Sequence, residues 1–378
     1  MSKHMNSPLD RNAIRRQLLV TVSAAALTGW SIQTAYAADA DKPLLWVEFG
    51  GDASMVNGEG EPLTAPFMTT FATSKAFDPL SPTEIQKPPR FSFGEDASIA
   101  FQPENSDWIF SAAIRYGRSS NRRDVHQQSS GLTLTPSVPI FPTVGTHVQA
   151  VQNYADYQVY HSEKHTVLDF KAGKDVGLGL FGGGSTSELD IGVRMARFET
   201  KSSIDMKARV NVGLFYYSIF KYFTNYALDG SSTRSFHGIG PSLSWSNSIP
   251  LAGNLNDGEL ALDWGINGAI LFGKQKAKTR HNTTGKIFHQ KYEFFFGQPS
   301  YATPVHVSAN PPLRSRSVTV PNIGGSVALS YKFNDAKLSI GYRYDSFLKA
   351  MDTGIDTARK ANMTFQGPYA SISIGLGD

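Results

Sequence analysis

The feature that most constrains the fold is a long stretch of alternating apolar and polar residues from Ser235 to Gly273. In its second half the apolar side chains share one parity: Leu260, Leu262, Trp264, Ile266 and Ile270. The other parity holds polar or small residues, and a period of two is typical of a strand with one apolar face. The first half alternates in the same way. Asn247 to Gly258 is rich in Asn, Gly and Pro, and predicts the turn between the two strands.

The same pattern recurs along the chain and predicts an all-β protein of about ten strands, within a range of roughly eight to twelve. Its connections alternate in length. The predicted long ones are 52–90, 119–154 and 274–316, and the predicted short ones are 103–107, 181–187 and 334–336. A soluble β-sandwich has the same alternation within strands, but no reason to sort its connections by length. The sequence therefore predicts a transmembrane, antiparallel, up-and-down β-barrel with long outer loops, short periplasmic turns and both termini in the periplasm.

The N-terminal segment fits export to the outer membrane of a Gram-negative bacterium. Lys3, Arg11, Arg15 and Arg16 form a basic region, and the apolar run that follows is too short for a spanning helix. Ala35-Tyr36-Ala37 matches a signal-peptidase site. We therefore expect a signal peptide at 1–37 and an outer-membrane barrel at 38–378, with an N-terminal anchor helix as the less favoured alternative.

Charge and cysteine content exclude several classes of function. The first 37 residues carry four of the 36 basic residues and one of the 32 acidic ones, so the remaining chain has a net charge near +1. We therefore expect no nucleic-acid partner. The chain has no cysteine, which excludes disulfides and cysteine-ligated metals.

Histidine spacing gives little support for an enzyme. His161 and His165 have a metal-ligand spacing only on a helix or turn, because on a strand they lie about 13 Å apart. His237 lies next to a glycine-rich strand at the predicted outer rim, where a hydrogen-bonded histidine is a simpler interpretation than a catalytic base. We expect no enzymatic activity, no metal site and no cofactor.

A set of polar residues on the inward parity is more informative. Arginine or lysine on the lipid face costs about 2–4 kcal/mol at mid-depth, so the parity of these residues points into the lumen. The candidate lumen-lining residues are Glu48, Asp96, Arg115, Asp169, Lys171, Asp190, Arg194, Asp263, Asn267, Arg343 and Asp345. Arg343 and Asp263 lie mid-strand with one predicted strand between them, so we expect them to face each other. Pro241 and Pro321 lie inside predicted strands and predict bulges there.

Two short motifs resemble a known family. Phe236-His237-Gly238-Ile239-Gly240-Pro241, followed by a strand of Ser, Leu and Trp, resembles the corresponding segment of the Legionella major outer-membrane-protein-like, pore-forming barrels. Gly367-Pro368-Tyr369 resembles that family's last strand. The resemblance implies a porin or an adhesin-like surface protein. The chain departs from the usual barrel ending, because no aromatic residue closes it.

These observations predict an outer-membrane barrel that is a narrow passive pore for small solutes. The alternative is a structural or adhesive surface barrel with a plugged lumen, and a rim-located enzyme is the third. Eight strands leave room only for side chains and sixteen leave a channel, so about ten strands leave both main alternatives open. The expected partners are outer-membrane lipids, lipopolysaccharide and the barrel assembly machinery. Arg122, Arg123 and Lys276 are candidate contacts for lipopolysaccharide phosphates.

Overall fold

The computed structural model describes residues 44–58, 91–136, 146–176, 185–209, 219–254, 258–291, 301–333, 335–355 and 357–376. No helix among these residues is long and apolar enough to cross a membrane. The described chain forms eleven strands: β1 (Leu44–Gly58), β2 (Phe91–Gln102), β3 (Trp108–Pro136), β4 (Thr146–Asp175), β5 (Thr186–Arg209), β6 (Ile219–Asn254), β7 (Gly258–Lys291), β8 (Tyr301–Ala309), β9 (Arg314–Phe333), β10 (Ala336–Asp352) and β11 (Lys360–Leu376).

Ten of these strands close into an antiparallel barrel. Each strand from β1 to β7 pairs with the next, β7 pairs with β9, and β9 to β11 continue the ring. Pairing of β11 with β1, from Leu376 opposite Leu45 onwards, closes it. β8 and β9 pair with the same edge of β7: β9 pairs with residues 259–277 and β8 with residues 281–289. The two strands therefore share one position in the ring, and β8 does not add an eleventh. The predicted all-β barrel of about ten strands is confirmed.

The two ends of the barrel differ. At one end, the turn end, several joins are short: β2 leads to β3 through 103–107, and β9 ends only three residues before β10 begins. The first and last described strands also begin and end there. At the other end, the hairpin end, β3 to β7 run far beyond the rest of the wall, with β6 reaching 36 residues. The asymmetry between the ends therefore lies in the strands, which extend at the hairpin end. The predicted sorting of the connections by length is wrong, because ten residues separate β4 from β5 at the turn end and only nine separate β3 from β4 at the hairpin end. Which end faces the cell exterior stays a prediction.

Several predicted loop boundaries are wrong, because strands continue into them. β1 includes 52–58, and the predicted loop at 119–154 is mostly the paired ends of β3 and β4. The predicted loop at 274–316 holds the ends of β7 and β9 and all of β8. The predicted turn at 247–258 is strand except for 255–257, which lie outside the described residues. So do 59–90, 177–184 and the signal-peptide region at 1–37.

The predicted bulges at Pro241 and Pro321 are also wrong. Pro321 pairs with Ile270 in an unbroken register. Near Pro241 the β6–β7 ladder lacks two pairs, but it keeps the same register on both sides. Because proline has no N–H, Pro241 removes a hydrogen bond from the ladder, but neither proline inserts the extra residue that defines a bulge. Among the described strands, register shifts occur near Thr224, Pro250 and Phe347.

The two faces of the wall are reversed relative to a water-soluble protein. Large apolar side chains point outward and are exposed, including Phe93 at 73%, Ile340 at 62% and Ile323 at 60%. Charged side chains point inward and are buried. On β9 the outward apolar residues extend from Ile323 to Phe333, about 33 Å of strand at roughly 3.3 Å per residue. At the tilt of about 40° usual for such barrels, this corresponds to an apolar band about 25 Å tall.

Candidate functional site

The barrel interior is the candidate site, and its side chains form two layers stacked along the barrel axis. The charged layer, nearer the turn end, contains Asp96, Arg115, Asp169, Lys171, Asp190, Arg194, Asp263, Asn267, Lys337, Arg343 and Asp345. The apolar layer follows toward the hairpin end. It contains Val56, Val167, Ala196, Phe198, Phe236, Ala269, Leu271, Val320, Phe347, Ala350, Met351, Met363 and Phe365. Inward residues on the same strands form both layers.

Ion pairs join strands across the charged layer. Arg115 on β3 donates to Asp345 on β10 at 2.5 Å, and Arg343 on β10 donates to Asp96 on β2 at 3.1 Å. The Arg343 guanidinium also lies 4.8 Å from the ring centroid of Tyr369. These strands are not neighbours in the sheet, so the pairs cross the interior of the barrel.

Arg194 on β5 is the most connected side chain of the charged layer. Its Nε and Nη2 atoms donate to both carboxylate oxygens of Asp169 on β4, at 2.7 and 2.9 Å. Its Nη1 donates to Asn267 on β7 at 2.7 Å and to Asn322 on β9. The Arg194 side chain is 1% exposed and that of Asp169 is fully buried. One guanidinium therefore ties four strands together, with a bidentate geometry that suits arginine.

The predicted lumen residues lie on the inward face of their strands. All eleven predicted lumen residues face the interior; Lys171 and Asn267 are half-buried and the others, including Glu48, are buried. As residues that line a conducting pore they stay a prediction. The predicted pair of Arg343 and Asp263 is wrong, because Asp263 accepts from Lys337 at 2.7 Å and from Ser248 at 2.7 Å.

Sequence reasoning missed several buried polar residues, among them Lys337, Asp52, Glu188 and Asn322. Lys337 shares the parity of Arg343 but lies next to a predicted turn, and Asp52 falls in a predicted loop. Glu188 lies at the start of β5, and Asn322 follows Pro321, where the apolar parity changes. Extending the inward parity of each strand to its ends would have found Lys337 and Glu188.

A small polar cavity of about 70 Å³ lies beside the charged layer, toward the turn end. Its lining includes Lys171, Glu188, Asp190 and Ser244. Lys171 donates to Ser244 at 2.8 Å, and the Ser244 hydroxyl donates to Asp190 at 2.8 Å. The cavity has room for a few water molecules and is lined by groups that bind water.

Phenylalanine rings form the centre of the apolar layer. The ring centroid of Phe198 lies 4.6 Å from that of Phe347, 5.5 Å from Phe365 and 5.8 Å from Phe236. His165 adds a fourth contact, 4.2 Å from Phe365, and its Nδ1 lies 2.9 Å from Glu163. β3 contributes a glycine at this level: a Cβ atom on Gly117 would overlap the His165 ring. The layer thus spans the interior with tightly packed rings.

The end of β10 and the start of its connection to β11 also turn into the interior. The inward segment, residues 349–355, begins where the register of β10 against β11 shifts, and Lys349 has a φ of 58°. Arg314 donates to the carbonyls of Gly354 and Ile355, each at 2.7 Å, and pairs with Asp352 at 3.1 Å.

Three further side chains hold the inward segment from β6 and β7. Arg234 donates to the Thr353 carbonyl at 2.9 Å, and Thr279 donates to the Ile355 carbonyl at 2.7 Å. Gln275 donates to the Lys349 carbonyl. The segment therefore lies inside the barrel against β6, β7 and β9, on the hairpin side of the apolar layer.

The predicted histidines are on strands rather than in a metal site. His161 and His165 both lie on β4, where they contact Ser202 and Glu163 respectively. His237 is exposed on the outward face of β6. Among the described residues there is no cluster of three or more metal-ligating side chains.

Comparisons with known proteins do not identify a family for this chain. No protein-family model matches the chain, and no curated protein matches it. Among solved structures, a mutant of TodX described as a monoaromatic hydrocarbon channel is similar over 93% of this chain and 98% of that chain. The identity is 10% and the TM-score is 0.21. Similarity at that score does not establish a shared fold.

Proposed function

We propose that the chain is an outer-membrane β-barrel whose lumen is closed at rest, and that its role is not enzymatic. The observation that carries the proposal is the reversal of its faces: an apolar outer band about 25 Å tall surrounds a buried charged interior. Such an exterior is unstable in water, because contiguous exposed apolar surface on soluble monomers is usually limited to a few hundred Å².

Location and membrane insertion are tested together. The expressed protein should fractionate with the outer membrane after removal of residues 1–37. Boiled and unboiled samples should migrate differently on a gel, because a closed barrel keeps its wall in detergent until it is heated. Recovery as a soluble periplasmic monomer would contradict the proposal.

Of the two functions expected for such a barrel, the filled lumen favours the plugged structural or adhesive surface barrel. The charged layer, the apolar layer and the inward segment follow one another along the axis. A hydrated ion passing through would have to displace the phenylalanine cluster around Phe198, which offers it no polar partner.

The narrow passive pore is the second candidate, and the inward segment is the observation that supports it. On the hairpin side the inward segment narrows the lumen, and it is held mainly through side-chain bonds to its backbone carbonyls. Such a segment can move without breaking the wall. Below the apolar layer a polar cavity is already present. The pore would then conduct only when both the inward segment and the phenylalanine rings shift.

Single-channel recording separates the two candidates. A plugged barrel should be electrically silent in planar bilayers at every voltage, whereas a pore closed at rest should show discrete openings; we expect the refolded wild type to be silent. Phe198→Ala/Phe365→Ala combined with Arg314→Ala, which also releases the inward segment, should produce discrete conductance steps. Phe170→Ala is the matched control, because Phe170 lies on the outward face of β4 and is 50% exposed. Steady conductance of the wild type would contradict the closed lumen and establish the passive pore.

Membership of the Legionella outer-membrane-protein-like family is proposed on the two motifs alone. In the structure Gly240 and Pro241 lie at the gap in the β6–β7 ladder, and Tyr369 faces the lumen beside Arg343. Both motifs therefore occupy structurally demanding positions. The proposed partners are outer-membrane lipids, lipopolysaccharide and the barrel assembly machinery.

A further inference from the structure

A row of cations lies on the outer face of β7, directly beyond the apolar band. Phe272 is the outward apolar residue at the edge of the band, and the next four outward positions are Lys274, Lys276, Lys278 and Arg280, here called the basic stripe. All four are exposed, and none forms an ion pair with the described residues. Alternate residues of a strand lie about 6.6 Å apart, so the stripe is about 20 Å long.

The neighbouring strands supply hydroxyl groups and an imidazole, not carboxylates, at the positions paired with the stripe. Lys274 pairs with His237 on β6 and Ser317 on β9, and Lys276 pairs with Ser235 and Ser315. Glu199, the outward acid on β5 beyond Ser235, is held by Lys201 at 2.9 Å. Like charges in a row repel one another, so this arrangement favours a bound anion rather than an internal partner.

An apolar groove continues the same face of the wall below the stripe. The wall groove, with a volume of about 1130 Å³, crosses β6, β7 and β9. Leu243, Ile266, Ile270 and Ile323 form its sides, and Gly268 leaves its floor open. A Cβ atom on Gly268 would have one close neighbour, the Asn322 carbonyl oxygen at 3.6 Å, so the surface is indented where a side chain would fit.

The distance between stripe and groove matches one leaflet of a bilayer. Gly268 lies six residues below Lys274, about 20 Å along the strand. With a strand tilt of about 40°, this is a depth of about 15 Å, half of the roughly 30 Å hydrocarbon core. A ligand that fills both parts carries an anionic group at one end and an apolar chain at the other, and a phosphorylated lipid has both.

We propose that the basic stripe and the wall groove together bind a phosphorylated glycolipid of the outer leaflet, with its phosphates on Lys274 and Lys276 and an acyl chain against Gly268. The inference rests on the proposed membrane insertion, and deepens it by assigning lipid to one sector of the wall. The basic stripe also places the hairpin end on the side of the membrane where such lipids occur.

The charge half of the site is tested with matched double variants of the refolded protein in detergent. Native mass spectrometry measures binding of diphosphoryl lipid A, dephosphorylated lipid A and phosphatidylcholine. We expect Lys274→Gln/Lys276→Gln to weaken binding of diphosphoryl lipid A roughly 30-fold and Lys274→Arg/Lys276→Arg to retain it. Lys207→Gln/Lys360→Gln, which removes two exposed cations elsewhere, should bind like the wild type.

The groove half is tested with Gly268→Leu, which fills the groove without a backbone clash. It should weaken lipid A binding, whereas Ala370→Leu, on the outward face of β11, should not. Equal binding of lipid A with and without phosphates, or no effect of the Lys274/Lys276 double variant, would overturn the inference. Gel migration of the same samples with and without boiling distinguishes failure of the two proposals. A sample whose migration does not change on boiling contradicts membrane insertion itself. A heat-modifiable barrel that binds lipid A equally well with and without phosphates contradicts only the lipid site.

Discussion

The charged layer and the apolar layer are adjacent on the same strands, and both contain fully buried side chains. The charged layer is stabilised by ion pairs and hydrogen bonds, and the apolar layer by close packing. Arg194 and Phe198 are four residues apart on β5, and they are 1% and 0% exposed. Arg194 depends on partners that must be in place, whereas Phe198 depends on the volume around it. The comparison shows that burial alone does not predict how a barrel interior responds to substitution: a charged position is sensitive to the loss of a partner, and an apolar one to the loss of volume.

The largest effect is expected for Arg194→Met, which breaks the centre of the charged layer. Methionine approximates the length of the arginine stem but leaves the Asp169 carboxylate buried without its bidentate partner. Breaking a buried pair on one side costs about 3–5 kcal/mol of unfolding free energy. Urea unfolding in lipid vesicles measures it, with Arg197→Met as the control, because the Arg197 side chain is 70% exposed on the outward face. Equal losses in both variants would argue against a buried network.

A loss of volume in the apolar layer comes next. Leu271→Ala removes a fully buried side chain, and such truncations cost about 2–5 kcal/mol, with the smaller values where neighbours can close the gap. We expect a value near the lower end, since the flexible Met351 and Met363 belong to the same layer. Leu243→Ala, on the exposed outer face of β6, is the control, and it should change stability less. A cost above that of Arg194→Met would reverse the ranking of the two layers.

Arg343→Ala should have a smaller effect than Arg194→Met. Arg343 donates to Asp96 at 3.1 Å with a single guanidinium nitrogen and contacts the Tyr369 ring, whereas Arg194 holds Asp169 through two. Hydrogen bonds to charged groups contribute about 1.5–3 kcal/mol, so the same unfolding assay should show a loss in that range. Bilayer recordings of the variant should remain silent, because the apolar layer still closes the lumen. An increase in conductance or a shift toward cation selectivity would show that Arg343 constricts a working pore.

The smallest effect is expected when both members of a buried pair are replaced. Arg115→Met/Asp345→Leu removes two charges that hydrogen-bond at 2.5 Å and leaves apolar groups of similar length. Such replacements are often neutral, and we expect a change within about 1.5 kcal/mol. Asp345→Leu alone leaves the Arg115 guanidinium without that carboxylate and should cost more. If the double variant is as unstable as the single one, the charged layer is held by packing rather than by pairing.

The sequence was sufficient to predict which face of the wall a side chain occupies, but not which charged side chains pair with each other. Along Leu260–Ile270 a shift of one residue would move every apolar side chain into the lumen, so alternation alone orients the strand. Which charges meet across the lumen depends on the tilt of the strands and on the closure of the ring. Arg343 therefore meets Asp96 from β2 rather than Asp263, and no local pattern encodes that distance.

The ends of the tall strands were missed for a related reason. Alternation exists only where one face is in an apolar environment, and at 231–234 on β6 the outward serine and threonine side chains share polar character with the inward Ser232 and Arg234. Without an apolar face, a strand has no period of two to detect. Only pairing with β5 and β7 shows that this segment is a strand.

The closing ladder between β1 and β11 has a consequence for the order of events in folding. Leu45 pairs with Leu376, so the wall is complete only when residues more than 300 positions apart have met. Contacts of such long sequence separation are slow to form, because the chain must search before it gains the interaction. Until that last ladder forms, the strand edges of β1 and β11 remain free to pair with other chains. Assembly should therefore end in one late step, in which pairing of β1 with β11 closes the barrel and at the same time removes the edges to which other chains could bind. Deletion of 360–376 should leave an open sheet rather than a smaller barrel.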